Sequence, residues 1–299
     1  MIYKEKLIET FIQKKELENL SVSSLKSYAF DLNLFSDFCI EHQLTLVSGI
    51  ADYMEFVERK EDYKASTKQR KLITLKFFHK FLLEQKLISD SSLPHIAIRK
   101  GKRLPRTLTV RETQNLLSAA ENIVSLSPKK LRDQIRNLAI LHILVSIGLR
   151  ISEVSNMRLG DYDAQSGKIV IHGKNRKERI LYILHKKDKS SLKAYLSMRK
   201  QYFPSEHEKA FFLNKYGKRL SIFSIENIFS KYKLLARVNP AATPHYLRHG
   251  FATGLLDNGA NLRDIQELLG HSSITTTEIY TEVSVERKRK VLMKYGFKK

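Results

Sequence analysis

The sequence predicts a mainly α protein in two domains: an N-terminal helical bundle, and a larger, mostly helical C-terminal domain that carries one small β-hairpin. Three observations lead to that class. Apolar residues recur three and four positions apart through most of the chain, the period of a helix face. Residues 99–107, RKGKRLPRT, break the pattern with five cations, a glycine and a proline, as an exposed linker does. Two short β-branched runs, 167–172 and 179–184, are joined by the polar segment GKNRKE. At 299 residues the chain is long enough for two cores. The predicted units are 1–98, a linker at 99–107, and 108–299.

Four amphipathic stripes account for the first unit. Leu7, Ile8, Phe11 and Ile12 form one. Ser21 can cap a second helix that buries Val22, Leu25, Tyr28, Ala29, Leu32, Phe35 and Phe38. Ala51, Met54, Phe56 and Val57 suggest a third, and Ser66 or Thr67 starts a fourth with Leu72, Leu75, Phe78 and Leu82 inside. Most aromatics lie on these stripes and read as core rather than as platforms for bases. The start of the fourth helix is basic, with Lys64, Lys68, Arg70, Lys71 and Lys76. Phosphate contact and a solvated face are equally good readings of that run.

The formal charge is +22, and it is unevenly spread: residues 1–100 carry a net +2 and residues 101–299 a net +20. Such a surface attracts a polyanion, either nucleic acid or an acidic membrane face. The single cysteine, Cys39, excludes an intrachain disulfide and suits a reducing cytosol. The amphipathic, mixed-charge N-terminus is unlike a signal peptide. The longest apolar run, 138–149, is too short to span a bilayer and reads as a buried helix, so no membrane anchor is expected.

In the second unit, Thr109 and Glu112 form a capping box. Residues 131–149 make the central buried helix, which ends in GLRISE with Arg150 and Glu153. An arginine in that place can simply partner the helix dipole. The hairpin loop holds Lys174, Arg176 and Lys177, with Arg179 just beyond, and any of these cations can meet a phosphate. Residues 186–240 give amphipathic helices and a turn at 214–217. Thr243 and Pro244 then open a helix that sets His245, Arg248 and His249 on one face, beside N–H groups and the positive dipole end, a site for an anion. A further helix at 261–269 buries Leu262, Ile265, Leu268 and Leu269 and stops at Gly270. His271 sits at the following corner, and Tyr280 comes nine residues later. The basic tail VSVERKRKVLMKYGFKK is amphipathic. Taken singly, a histidine is as a rule a satisfied polar residue and a tyrosine is core or rim.

The constellation changes that reading. H-x-x-R-H, then L-G-H, then tyrosine nine residues on, resembles the signature of the tyrosine recombinase (phage integrase) family. The resemblance extends over nearly the whole chain, and the short N-terminal unit and compact second unit are similar to the Xer-type members. It implies a SAM-like core-binding domain at 1–98 and a catalytic domain at 108–299. It assigns catalytic roles to Arg150, Lys174, His245, Arg248, His271 and Tyr280, with Glu153 supporting, and identifies Lys174 by its place 24 residues after Arg150. Gly254 stands where many members have histidine, away from the catalytic positions. The implied activity is cleavage and rejoining of DNA through a covalent 3′-phosphotyrosyl intermediate, without a cofactor or a metal. DNA contacts fall to Lys68, Arg70, Lys71, Lys100, Lys102, Arg103, Arg106, Arg176 and Lys177. The implied partners are double-stranded DNA with paired recombination sites, and a homo- or hetero-tetramer linked by exchange of C-terminal tails, with a second recombinase or accessory protein an option. The implied location is the cytoplasm, at the nucleoid. A type IB topoisomerase-like enzyme and a non-catalytic DNA-binding regulator are the competing classes.

Overall fold

Eleven helices and one two-stranded antiparallel sheet make up the residues that the structure, a computed structural model, describes: 2–89, 92–96, 98, 106–122, 127–173 and 178–270. The chain divides into two compact units, Met1–Lys102 and Arg103–Lys299. None of the described helices is long and apolar enough to cross a membrane.

The first unit contains α1 (Ile2–Leu17), α2 (Val22–Glu41), α3 (Gly49–Arg59) and α4 (Ala65–Glu84). Ser21 caps α2 by accepting the Ser24 N–H at 3.2 Å. The predicted stripes converge: Phe11, Leu32, Phe35, Met54, Val57, Phe78 and Leu82 are fully buried. Phe11 meets Phe78 and Phe81 edge-on, with ring centroids 5.5 Å apart, an arrangement the ring quadrupoles favour. Three details differ from the sequence reading. Val22 lies exposed in the first turn of α2, and Phe56 sits at the rim of the core. The start of α4 is Ala65, with Lys64 in the capping position and no side-chain cap, so Ser66 and Thr67 fall inside the first turn.

A buried ion pair crosses this core. Asp31 of α2 accepts from Lys71 Nζ and Thr74 Oγ1, both at 3.2 Å, and from Arg70. The Asp31 and Lys71 side chains are each only 2% exposed. The Lys71 ammonium also lies 5.4 Å from the Tyr63 ring and 5.9 Å from the Phe30 ring. Lys71 is therefore a core residue and not a phosphate contact on this unit's surface. The cause is periodicity: position 71 is four and seven residues before Leu75 and Phe78, on the buried stripe. Arg70 leans on the same carboxylate, Lys68 reaches the Glu58 carbonyl, and Lys76 is exposed.

The second unit is built around α6 (Pro128–Ser146), whose Ala139, Ile140, Leu141, Ile143 and Leu144 are buried. Against it pack α5 (Val110–Glu121), α8 (Lys186–Met198), α9 (Ile222–Leu235) and α10 (Pro244–Asp257). Thr109 and Glu112 form the predicted capping box of α5. α7 (Ile151–Asn156) follows α6, and α11 (Leu262–Leu269) follows α10. The hairpin pairs β1 (Lys168–His172) with β2 (Glu178–Tyr182), Lys168 opposite Tyr182 and His172 opposite Glu178. α6 stops three residues before the predicted end because Gly148 turns into the left-handed region at φ +60°. A Cβ there would lie 2.6 Å from Phe251 Cδ1, so only glycine lets α10 pack this closely.

Replacing Asp31 by Ala leaves the Lys71 charge buried without its counter-ion, which costs about 3–5 kcal/mol. Urea unfolding of the full chain should show an N-terminal transition at a clearly lower denaturant concentration. A midpoint equal to that of the unaltered chain would contradict the buried pair.

Candidate active site

Arg150 follows the Gly148 turn with extended backbone (φ −70°, ψ 146°) and starts α7. It is the N-terminal cap residue of that helix rather than a dipole partner of α6. Glu153, one turn on, folds back: its Oε2 accepts the Arg150 backbone N–H at 2.9 Å, and its Oε1 accepts from Arg150 Nη1 at 3.0 Å. The Glu153 side chain is 7% exposed and that of Arg150 35%, so the pair points from the interior towards solvent.

Two further guanidinium groups converge on Glu153. Arg179, from β2, forks onto it with Nη1 to Oε1 and Nη2 to Oε2, both 2.9 Å. Its Nε donates to the Leu268 carbonyl at 2.8 Å. Arg248, from the second turn of α10, is 3% exposed. It donates to the Gly148 carbonyl at 2.8 Å and the Leu269 carbonyl at 2.6 Å, and its Nη1 lies 3.8 Å from Glu153 Oε2. Both acceptors lie just past or at the end of a helix, where carbonyls lack an intrahelical partner. Burial alone would raise the Glu153 pKa. The hydrogen bonds and charge of Arg179, then the Arg150 N–H and the Arg248 charge, outweigh it and hold the carboxyl below its usual range.

The helix predicted to open at Thr243 and Pro244 is present as α10. Pro244 occupies the first turn, although Thr243 makes no side-chain cap. His245 reaches solvent, and His249 lies one turn on with ring centroids 6.5 Å apart. Protein packed around the His245 ring strips part of its water, and Arg248 and Arg150 repel a proton, so its pKa falls below the ordinary imidazole value. His249 is lowered too, by burial and then by His245 and Arg248.

α11 is capped by Asn261, which accepts the Asp264 N–H at 2.8 Å, and ends at Gly270 with φ +64°. A Cβ on Gly270 would come within 2.9 Å of Arg179 Nη1. The structure thus joins Arg150, Glu153 and Arg248 in one cluster, with His245 beside it. Lys174, Arg176, Lys177, His271 and Tyr280 lie outside the described residues, as do Lys100, Lys102 and Arg103; Arg106 is described and exposed. Among the described residues, no group of three or more His, Cys, Asp or Glu side chains could hold a metal ion.

The place of Arg179 was missed at the sequence level, where it counted as one more loop cation. The signal was strand alternation: Arg179 shares a face with Leu181, which is 3% exposed, so it points inward.

Comparison with known proteins decides the family. The Phage integrase family pattern matches residues 106–287, and the Phage integrase N-terminal SAM-like domain matches residues 8–86. The chain belongs to the phage integrase family. Its relatives include the tyrosine recombinase XerC of Leptospira interrogans, 35% identical over 300 residues, spanning 97% of this chain and 94% of that protein. The tyrosine recombinase XerD of Oceanobacillus iheyensis is 33% identical over 300 residues, spanning 97% and 98%. Of solved structures, XerH bound to palindromic difH substrate in a post-cleavage complex has a TM-score of 0.75 at 22% identity, covering 97% of this chain and 85% of that one. XerA recombinase has a TM-score of 0.56 at 26% identity, covering 98% and 100%. As a phage integrase family member of the tyrosine recombinase type, the protein is an enzyme that cleaves and rejoins DNA strands. The four-helix unit is the family's SAM-like domain.

The His245 ring should titrate below about 6.5, its unperturbed value. In an NMR titration of the free protein, Arg150→Ala should move that midpoint upward by removing a repelling charge. An unmoved midpoint would mean that Arg150 does not face His245.

Proposed function

We propose that the protein is an Xer-like site-specific recombinase that cuts each strand by attack of Tyr280 on the scissile phosphate. The observation that carries this reading is the cluster in which one buried carboxylate, Glu153, holds Arg150 and neighbours Arg248 beside His245. Three guanidinium groups around one carboxylate leave a surplus of positive charge at the mouth of the site. That surplus suits a phosphodiester whose non-bridging oxygens gain charge in the transition state.

In this mechanism the Tyr280 oxygen bonds to phosphorus as the bond to the 5′-oxygen breaks, leaving a 3′-phosphotyrosyl link. The phenol proton passes to His245, whose lowered pKa keeps the ring neutral and able to accept it near pH 7. Arg150 and Arg248 fork onto the non-bridging oxygens, and His271 donates a further hydrogen bond. Lys174 gives its proton to the leaving 5′-oxygen. The covalent link keeps the phosphodiester's energy, so attack by a 5′-hydroxyl reseals the strand without a nucleotide cofactor or a metal.

The remaining assignments belong to the same reading. The substrate is double-stranded DNA with paired sites, contacted by residues of each domain and of the basic linker at 99–107. Arg106, Lys100, Lys102 and Arg103 touch its backbone, with Arg176, Lys177, Lys68 and Arg70. Four protomers, identical or of two kinds, assemble through their C-terminal tails, and the work is done in the cytoplasm, on the nucleoid. Solved λ integrase and XerH structures in the same fold contain DNA, one of them a tetramer on a Holliday junction.

Tyr280→Phe should abolish the covalent protein–DNA adduct trapped on a nicked suicide substrate; an adduct that persists would place the nucleophile elsewhere. Lys174→Ala should cleave ordinary DNA very slowly. It should recover on DNA whose bridging 5′-oxygen is sulfur, because a thiol of pKa ~8.5 leaves without a proton. Recovery by Lys177→Ala instead would move the acid to Lys177.

A further inference from the structure

Glu153 accepts four hydrogen bonds, and the way they are divided is informative. Arg179 donates one to each oxygen, the Arg150 backbone N–H donates one to Oε2, and the Arg150 side chain donates a single bond through Nη1. Among the described residues, Nη2 and Nε of Arg150 have no partner, and its side chain is 35% exposed. A carboxylate has room for about four donors. Arg179 therefore occupies the places into which a second arm of Arg150 would otherwise swing.

We infer that Arg179 is a positioning residue for strand cleavage: by forking onto Glu153 it limits Arg150 to a one-armed contact and leaves the rest of that guanidinium facing the scissile phosphate. The inference rests on the reading that Arg150 binds the phosphate. Without Arg179, a deeply buried carboxylate loses two of its four donors. Its cheapest remedy is to draw Arg150 into a two-armed pair, because planar fork geometry favours the bidentate contact and an unsatisfied buried charge is costly. Arg150 then turns inward, away from the DNA.

Other features of the site agree with this division. Arg179 also donates to the Leu268 carbonyl and lies against Gly270, where a Cβ would come within 2.9 Å of Nη1. One side chain on the hairpin thereby joins β2, the start of α7 and the end of α11. The same contacts make Arg179 immobile, with its side chain only 13% exposed, so it is unsuited to touching DNA itself.

The test is single-turnover cleavage of a suicide substrate, with ordinary DNA compared with DNA carrying a methylphosphonate at the scissile position. Replacing one non-bridging oxygen by methyl removes the charge that one arginine must balance. The stereoisomer chosen is the one on which Arg150→Ala loses little. On ordinary DNA, Arg179→Met should lose about 10²-fold in rate, the scale for one preorganised donor, with DNA affinity unchanged. On the chosen methylphosphonate the same variant should lose almost nothing, and Arg179→Lys should fall between the extremes on ordinary DNA. Removing the pull itself should help: Arg179→Met combined with Glu153→Gln should cleave faster than the product of the two single losses predicts. Equal losses on both substrates would show that Arg179 only holds the fold together, and would overturn the inference. If Arg179→Met fails to fold, Arg179→Lys, which keeps a cation against Glu153, carries the same two-substrate comparison. Normal cleavage of ordinary DNA by Arg150→Ala is a separate failure: it would remove Arg150 from the phosphate and sink the reading on which the inference stands.

Discussion

The arrangement depends on keeping one buried carboxylate charged. An isolated carboxylate at the depth of Glu153 would neutralise or force water inward. Arg179, Arg150 and Arg248 prevent that, and each comes from a different part of the second unit: β2, the turn after α6, and α10. Meeting the carboxylate's demand for donors therefore brings those parts together. A buried ion pair is weak evidence for stability, because desolvation offsets much of the attraction. Here its product is orientation: planar forks tolerate little angular error, so the carboxylate fixes where the guanidinium groups point.

Helix ends supply the second constraint. Arg248 is held by the carbonyls of Gly148 and Leu269, which lie just past α6 and at the end of α11. Orphan carbonyls of helix termini need donors, and a buried guanidinium offers five. The two glycines that flank these carbonyls are in the left-handed region, where a side chain would be strained. At Gly148 a side chain would also strike Phe251, and at Gly270 it would crowd Arg179. The backbone turns and the buried Arg248 are thus parts of one packing solution. A substitution at either glycine would disturb the cluster without replacing any charged residue.

The first unit shows the same physics with a different outcome. Asp31 and Lys71 are also buried and paired, with Arg70 and Thr74 completing the network. Its one exposed member, Arg70, is itself held by the Asp31 carboxylate, so the network reads as a device for holding α2 to α4. The surface of that unit carries little net charge, and the excess of the +22 lies in residues 101–299, the part that contains the arginine cluster. Long-range attraction of a polyanion is thereby concentrated on the unit that holds the arginine cluster.

Residue order alone determined the helical class, the four stripes of the first unit, the hairpin, the Thr109 capping box and the stop at Gly270. These are local: each needs only a period, a cap or a conformation that neighbours in the chain dictate. The motif residues were equally legible, because Arg150, His245 and Arg248 fall at characteristic spacings. What tertiary structure decided was which cations do which work. Lys71 sits in a run of basic residues yet faces the core, and Arg179 belongs to the same basic stretch as Lys174 yet turns onto Glu153. Charge in a sequence has a sign but no direction. Direction comes from the face of the helix or strand, and partners such as Glu153 and Leu268, 26 and 89 residues away, become neighbours only when the chain has folded.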